Sequence, residues 1–203
     1  MRWIIPLLVS MPLLTACGAL SSLSKAGDDL DAYTLTAATA AAPLAGGRRH
    51  LIVELPTSAG ALATDRILIK PQPYQAQYLP DGRWSEPAPA LVQTLLVASF
   101  QSLGGFALVG RTGNGLNPDH TLMTEIQAFQ VEPDAARPGV FTVRIALQLT
   151  LIQESDRRIL ASRRFVASQA VASDATDQLV AAFDRAVQVV LRDAVLWAAA
   201  QAG

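Results

Sequence analysis

The strictest pattern in the chain is the alternation of apolar and polar residues between positions 140 and 152. One parity holds Phe141, Val143, Ile145, Leu147, Leu149 and Leu151, whereas the other holds Thr142, Arg144, Gln148 and Thr150. Successive side chains of a β-strand point to opposite faces of the sheet. The segment therefore predicts a long strand with one face buried in a core and the other in contact with solvent.

Segments with strand character flank this strand at residues 122–131 and 159–168, and the loops between them are short. Three such segments in a row predict an antiparallel meander. Earlier in the chain, short apolar runs predict further strands. An alanine-rich loop at 37–47 is expected after the first of them, and Pro80, Asp81 and Gly82 predict a turn after the fourth. These shorter strands are expected at residues 33–36, 51–55, 66–70, 74–79 and 106–109.

Two helices complete the expected fold, at residues 86–103 and 174–200. Ser85 is a suitable N-cap for the first helix, and Ser173 or Asp174 for the second. Apolar residues recur at helical spacing along both, so each helix has one face to bury. The order of elements predicts an α+β fold, a two-layer sandwich of a mainly antiparallel sheet with two long helices on one face.

The first residues have the features of an export signal: Arg2, then an apolar run at 3–14. At 1.5 Å per residue, this run is too short to span a hydrocarbon core of about 30 Å. The residues that follow, Leu14, Thr15, Ala16 and Cys17, resemble the lipobox of bacterial lipoproteins. That resemblance implies cleavage before Cys17, a diacylglyceryl group on its thiol and a fatty acid such as palmitate on the new amino group.

Gly18 follows the cysteine where a retention signal for the inner membrane has Asp, which favours the periplasmic face of the outer membrane. We therefore expect a signal peptide at 1–16, a lipidated flexible tether at 17–31 that is rich in Ser, Gly, Ala and Asp, and a single α+β periplasmic domain at 32–203. The alternative is that the apolar start is a buried helix and Cys17 an ordinary core thiol.

Charge and composition exclude several classes of protein. Arg2 is the only charged residue among the first 16, so the remainder carries 15 basic and 17 acidic residues, a net charge of −2. This balance shows neither a nucleic-acid footprint nor a polybasic membrane patch. With Cys17 acylated, no thiol is left for a disulfide or a metal site. The arginines near residues 157–164 alternate with apolar residues, which is typical of the solvent face of a hairpin.

No set of residues predicts catalysis or a cofactor. The two histidines, His50 and His120, are far apart in sequence and have neither the spacing of zinc ligands nor that of a nucleophile and its base. His120 follows Pro118 and Asp119, where a solvated turn is expected. We expect no enzyme activity, no metal and no cofactor other than the covalent lipid on Cys17.

Aromatic and arginine residues gather in one window of the chain, and both residue types are enriched at protein interfaces. Core packing at the entry to the first helix explains the tryptophan of this window equally well. The window is a candidate surface for binding a partner protein, and its residues are Arg66, Tyr74, Tyr78, Arg83 and Trp84.

Three segments together resemble the ABC-type transport auxiliary lipoproteins, the family of the paraquat-inducible C-type lipoproteins. They are Leu-Ala-Thr-Asp-Arg-Ile at 62–67, Tyr-Leu-Pro-Asp-Gly-Arg-Trp-Ser-Glu-Pro at 78–87 and Leu-Met-Thr-Glu-Ile-Gln-Ala-Phe at 122–129. The resemblance implies an outer-membrane lipoprotein, as a monomer or a homo-oligomer, that works with an Mce-domain protein, an ABC permease and an ATPase. Such a system moves lipids or other hydrophobic molecules between the membranes, and its auxiliary lipoprotein has no catalytic residues.

Two other functions stay open. One is a lipid-binding periplasmic carrier with an apolar groove between helices and sheet, and the other is a structural or assembly lipoprotein of an envelope complex. Phospholipid that purifies with the domain would support the carrier.

Overall fold

The computed structural model describes residues 30–113, 115 and 117–203. The predicted signal peptide, Cys17 and nearly all of the predicted tether lie outside the described residues. Asp31–Gly203 form one compact unit. Neither helix of this unit is long and apolar enough to cross a membrane.

Nine strands and two helices make up the unit, with a short 3-10 turn at Gly60–Leu62. The helices are α1, Ala88–Leu103, and α2, Thr176–Ala202. The strands are β1 Asp31–Tyr33, β2 His50–Val53, β3 Thr57–Ser58, β4 Arg66–Ile69, β5 Gln77–Trp84, β6 Leu108–Arg111, β7 His120–Pro133, β8 Phe141–Gln153 and β9 Arg158–Val171.

The predicted meander is present as the antiparallel strands β7, β8 and β9, which contain the two longest ladders of the sheet. The alternation in β8 has the expected effect, because Val143, Ile145, Leu147, Leu149 and Leu151 are all fully buried. Strand β9 pairs with β8 alone and so forms one edge of the sheet.

Strand β7 organises the rest of the sheet. Along the side away from β8, it pairs in parallel with β2 near its start, with β3 in its middle and with β4 near its end. Strand β5 then pairs antiparallel with β4, while β1 and β6 add in parallel to β5 and β2. The sheet is therefore mixed, with short parallel ladders on one side of β7 and long antiparallel ladders on the other.

Both helices share one core with the sheet, as predicted for an α+β sandwich. Helix α2 packs on β8 and β9, whereas α1 contacts β2, β6 and α2. At the centre of this layer, the Trp84 ring lies 5.5 Å from that of Phe129 and 5.0 Å from that of Phe183, measured between centroids. Rings at these separations and tilts contribute attraction beyond the burial of their area.

The predicted loop at 37–47 belongs to a longer strap, residues 34–47, that runs from α2 to the end of α1. Thr36 is hydrogen-bonded to Asp184 of α2, and the backbone N–H of Ala38 donates to Ser99 Oγ of α1 over 3.0 Å. Farther on, the N–H of Leu44 donates to the carbonyl of Leu103 over 2.7 Å. These contacts give the strap fixed partners although it is neither helix nor strand.

The turn predicted at Pro80, Asp81 and Gly82 is wrong, because these residues continue β5. Strand β1 pairs here, placing Asp31 opposite Gly82. A Cβ on Gly82 would lie 3.0 Å from the Tyr33 ring and 2.8 Å from the Thr176 methyl group. Gly82 thus serves close packing between elements rather than a change of chain direction.

Both helices begin later than predicted. Helix α1 begins at Ala88 after Pro87, and α2 at Thr176 after Ala175, and neither N-cap residue makes a side-chain hydrogen bond. The expected cap Ser85 instead donates its backbone N–H to the carbonyl of Tyr33 over 2.7 Å. That bond extends the contact between β1 and β5, which sequence-local capping rules do not include.

Candidate partner-binding surface

Three of the predicted partner-binding residues meet on the hairpin of β4 and β5. Arg66 lies opposite Arg83, and Tyr78 lies opposite Leu68. The guanidinium carbon of Arg66 is 5.8 Å from the centroid of the Tyr78 ring, and its Nη2 donates to the carbonyl of Leu79 over 3.2 Å. The arginine is thus held over an aromatic face, where a cation is attracted by the ring.

Contacts within the chain hold the other members of this group in place. The Tyr78 hydroxyl donates to the carbonyl of Ala61 over 3.2 Å, and Arg83 Nη1 lies 3.5 Å from Asp65 Oδ2. Both residues of this ion pair are partly exposed, so the pair adds little to stability. Its effect is to fix where the guanidinium of Arg83 lies.

Trp84 is 1 % exposed and belongs to the central aromatic cluster with Phe129 and Phe183. Of the two interpretations that the sequence left open for it, the structure shows core packing. Its indole supports β5 from the helix side and forms no part of the surface.

Tyr74 is separate from this group and is 89 % exposed, on the segment that joins β4 to β5. It borders a small, mainly apolar cavity of about 230 Å³ whose lining includes Leu62, Leu68 and Pro73. A fully presented tyrosine beside an apolar depression is a common element of protein interfaces.

A larger cavity of about 590 Å³ adjoins it on the face of the sheet that the helices leave open. Its lining crosses from the segment after β4 to β9. We call it the cationic cleft, and we define it by Lys70, Gln127, Gln130, Arg144 and Arg164. Prolines 71, 73 and 133 form part of its wall.

The polar groups of the cleft are partly paired with one another. Gln130 Nε2 donates to Glu132 Oε1 over 2.6 Å, and Arg144 Nη1 lies 3.8 Å from the other carboxylate oxygen of Glu132. Arg164 Nε donates to Gln127 Oε1 over 2.7 Å. Three cationic side chains therefore line the cleft with one carboxylate, which leaves an excess of positive charge.

Sequence patterns alone did not identify the cleft. The alternation in β8 predicted that Arg144 lies on the polar face of the strand, and the arginine-rich segment at 157–164 predicted that Arg164 is solvated. Both side chains are exposed in the structure. What brings them to one cavity with Lys70 is the register across β7, β8 and β9. The sequence signal that could have identified the cleft is the presence of arginines at polar positions of the adjacent strands β8 and β9.

The solvated turn expected at His120 is wrong. His120 is the first residue of β7, is 5 % exposed and lies against the Phe106 ring at 6.4 Å. Burial lowers its pKa, which the charge of Asp119 opposes and that of Arg49 reinforces.

The Asp119 carboxylate accepts the backbone N–H of His50 over 2.8 Å and lies 3.2 Å from Arg49 Nη1. The bond from His50 is the main cause of its lowered pKa. Among the described residues, no three His, Cys, Asp or Glu side chains lie together as metal ligands would. These contacts join the starts of β2 and β7.

Comparison with known proteins relates this chain to a protein family. Residues 33–195 match the model of a family described as ABC-type transport auxiliary lipoprotein component. A protein of Bradyrhizobium diazoefficiens, described only as uncharacterized, is 27% identical over 150 residues, which are 72% of this chain and 38% of that protein. The chain thus spans well under half the length of this curated relative.

Solved structures show the same fold. Protein XCC0632 from Xanthomonas campestris superposes with a TM-score of 0.74 at 25% identity, over 85% of this chain and 95% of that one. The hypothetical protein CT253 from Chlamydia trachomatis has a TM-score of 0.52 at 11% identity, over 78% of this chain and 98% of that one. The match to the family model covers most of the chain, so this protein belongs to the ABC-type transport auxiliary lipoprotein components.

Proposed function

We propose that this protein is the outer-membrane dock of an Mce-type ABC transport system that moves lipids or other hydrophobic molecules between the two membranes. The observation that carries the proposal is the family match over residues 33–195. The partners are an Mce-domain protein, an ABC permease and its ATPase, and the protein acts as a monomer or a homo-oligomer. It needs no catalytic residue, because docking requires only position and a binding surface.

The position is supplied by lipid on Cys17. Each buried CH₂ group contributes about 0.8 kcal/mol to membrane affinity, and two or more acyl chains make the anchor effectively stable. Cys17→Ala removes the acceptor, so we expect the protein to leave the outer-membrane fraction. An uncut signal peptide would also hold the protein at a membrane, so a second variant carries a signal peptide with an Ala-x-Ala cleavage site in place of residues 1–17. Persistence of that second variant in the outer-membrane fraction would contradict the anchor.

The binding surface is supplied by the exposed Tyr74 and Tyr78 and the partly exposed Arg66 and Arg83. Tyr74 presents nearly its whole side chain, while Arg66, Tyr78 and Arg83 are held in one group by the contacts within the hairpin. Trp84 contributes from the core, by supporting the strand that carries Tyr78 and Arg83.

Cross-linking in intact membranes tests the partners. A tagged full-length lipoprotein is cross-linked, solubilised and analysed by mass spectrometry, with the Ala-x-Ala variant as the control for location. We expect the Mce-domain protein, the permease and the ATPase to be recovered with the lipid-anchored form and at least tenfold less with the control. Recovery of envelope assembly components alone would favour the assembly function instead.

The structure gives the carrier hypothesis little support in the place where it was expected. Between the helices and the sheet, the space is occupied by buried side chains, with Trp84, Phe129 and Phe183 in mutual contact. Close-packed interiors of this kind leave little room for an acyl chain. Native mass spectrometry of the Ala-x-Ala variant checks this point, and a stoichiometric phospholipid adduct would revive the carrier.

A further inference from the structure

We propose that the cationic cleft binds an acidic segment of a partner protein, laid across the open face of the sheet. This inference rests on the proposed docking function and adds the place and chemistry of the contact. It begins from the register of the three long strands, which places small residues between two arginines.

Short side chains form a row across the open face of the sheet, and one of them, Ala128, lines the cleft. Ala128 on β7 lies opposite Ala146 on β8, which lies opposite Val166 on β9. The two alanines are 5% and 0% exposed, so their short side chains do not project from the sheet as their longer neighbours do. A row without long side chains allows a polypeptide backbone to approach the sheet closely.

Arginines stand on either side of this row. Arg144 is two residues before Ala146 on β8, and Arg164 on β9 is paired with Gln148, two residues after it. The two arginines are thus offset by four residues along the strands, which is roughly 14 Å at about 3.4 Å per residue. This separation exceeds the size of one carboxylate or phosphate group and suits several acidic side chains along one segment.

The cations are available for a partner. Within the described residues, neither Lys70 nor Arg164 forms an ion pair, and Arg144 is 3.8 Å from its one acidic neighbour, Glu132. The hydrogen bond from Arg164 Nε to Gln127 orients the guanidinium and leaves its two terminal nitrogens as donors. Guanidinium groups bind carboxylates with two parallel hydrogen bonds.

Apolar anchors lie at the borders of the cleft, which points to a polypeptide rather than a small anion. Val166 is 47% exposed and lies opposite Ala146. Tyr74 is 89% exposed at the adjoining apolar cavity, which shares Lys70, Gln127 and Gln130 with the cleft. Arginine and tyrosine around a depression are the residues that most often carry binding energy at protein interfaces.

A second copy of this chain does not suit the cleft. In a two-fold dimer built on this face, the same patch of both subunits would meet, since such interfaces are isologous. Lys70, Arg144 and Arg164 would then face the same cations of the partner subunit. An acidic partner removes that repulsion and gains from charge complementarity.

Charge reversal tests the proposal in the full-length lipoprotein. Arg144→Glu combined with Arg164→Glu reverses the cleft, and Arg185→Glu combined with Arg192→Glu on exposed positions of α2 is the matched control with the same net charge. A photo-reactive benzoylphenylalanine at Val166 records what lies at the border of the cleft. We expect an adduct with an acidic segment of a transport component, reduced at least tenfold by the cleft variant and less than twofold by the control.

Reversing the acidic residues of the adduct segment to arginine should restore the adduct to the cleft variant, which a merely destabilised fold would not allow. Circular dichroism and thermal melting of both variants confirm folding. An adduct with a neutral or basic segment overturns the proposal, and so does an adduct that the two cleft substitutions leave unchanged. No adduct at Val166 in the wild-type background overturns it as well.

The outcomes separate this proposal from the docking function. If the transport components are recovered equally with the cleft variant and the wild type, the proposal that the cleft binds them is wrong, and the proposed docking function is unaffected. If the Val166 adduct is an acidic segment of an unrelated protein, the cleft is right and the proposed function is wrong. Flotation with lipid vesicles provides the remaining comparison. The Ala-x-Ala variant is mixed with vesicles of phosphatidylglycerol or of phosphatidylcholine, with and without the two cleft substitutions. Flotation with phosphatidylglycerol alone that is lost on substitution of Arg144 and Arg164 would assign the cleft to lipid phosphates and overturn the proposal.

Discussion

The carboxylate of Asp184 on α2 accepts hydrogen bonds from both the backbone and the side chain of Thr36, 148 residues earlier in the chain. The Thr36 N–H donates over 2.7 Å and its Oγ1 over 2.8 Å to the same oxygen. Gln188, one turn later on α2, donates to both Thr36 Oγ1 and Asp184 Oδ2. This contact ties the strap to the longest helix of the unit.

Asp184→Ala is expected to destabilise the protein by about 1–3 kcal/mol, because hydrogen bonds to a charged group contribute more than neutral ones. Urea denaturation followed by circular dichroism measures the change. The matched control is Asp193→Ala, which removes an exposed acid from the same helix and should alter stability by less than about 0.5 kcal/mol. Equal effects of the two substitutions would show that the Thr36 contact contributes nothing specific.

Gly82→Ala should lower stability by about 1–3 kcal/mol, the usual cost of adding atoms to a packed site. The new methyl group would meet the Tyr33 ring and the Thr176 side chain, so the contact between β1 and β5 should loosen first. Hydrogen exchange of the backbone N–H of Ser85, which donates to Tyr33, reports on that contact. Gly60→Ala adds a methyl group into open space and serves as the control. Unchanged exchange at Ser85 would contradict this account of Gly82.

Trp84→Ala is expected to cost about 3–5 kcal/mol, as for other fully buried large side chains. The exposed Tyr74→Ala should leave stability within about 0.5 kcal/mol and act on partner binding instead. Thermal and chemical denaturation of the two variants, together with recovery of partners after cross-linking, separate the two roles. Normal stability of the Trp84 variant would contradict a role in core packing and favour the interpretation that Trp84 belongs to the binding surface.

Because of His120, stability should fall as the pH drops below the ordinary histidine pKa of about 6.5. Its pKa is lowered by burial in the folded protein, so the unfolded chain binds a proton more readily. Folding free energy is therefore fully retained above the unfolded pKa of about 6.5 and decreases as the pH falls through that value towards the folded pKa. His120→Gln should flatten this slope in urea titrations at a series of pH values.

The cost of the substitution itself is read at pH 8, where the histidine is neutral in both states. Asp119, Asp134 and Glu154 also have lowered pKa values, through hydrogen bonds to their carboxylates. Their contributions are retained above about pH 4.5 and lost only at lower pH, so the decrease that begins near pH 6.5 is assigned to His120. An unchanged slope in the His120 variant would contradict the assignment.

Strand β8 could be predicted from its period of two, which one buried face imposes, and β7 and β9 from their strand character and the short loops that join them to β8. Strand β5 could not, since Pro80, Asp81 and Gly82 are turn residues by local preference. They are extended here because β1, about 50 residues earlier, supplies backbone partners and packs a tyrosine ring against the glycine. Local propensity is a weak preference that such tertiary contacts override.

The candidate surface also has features that the sequence predicts and features that it does not. Exposure of Tyr74 and burial of Trp84 are opposite outcomes for two aromatic residues ten positions apart, and composition treats them alike. Arg144 and Arg164 were each placed in solvent by pattern, but their meeting with Lys70 depends on three ladders of strand pairing. Register is a property of the folded sheet, because it is set by contacts between distant segments.

By itself, the sequence determined that this chain has an α+β fold with a three-stranded meander and two amphipathic helices, and it carried the motifs by which the family is recognised. Those features depend on residue order within short segments, where periodicity and turn chemistry act. Only the tertiary structure decided which polar faces converge, that residues 34–47 are held against both helices, and that the open face of the sheet carries a cationic cleft. Each of these depends on contacts between residues far apart in the chain, whose free energies have no counterpart in any local pattern.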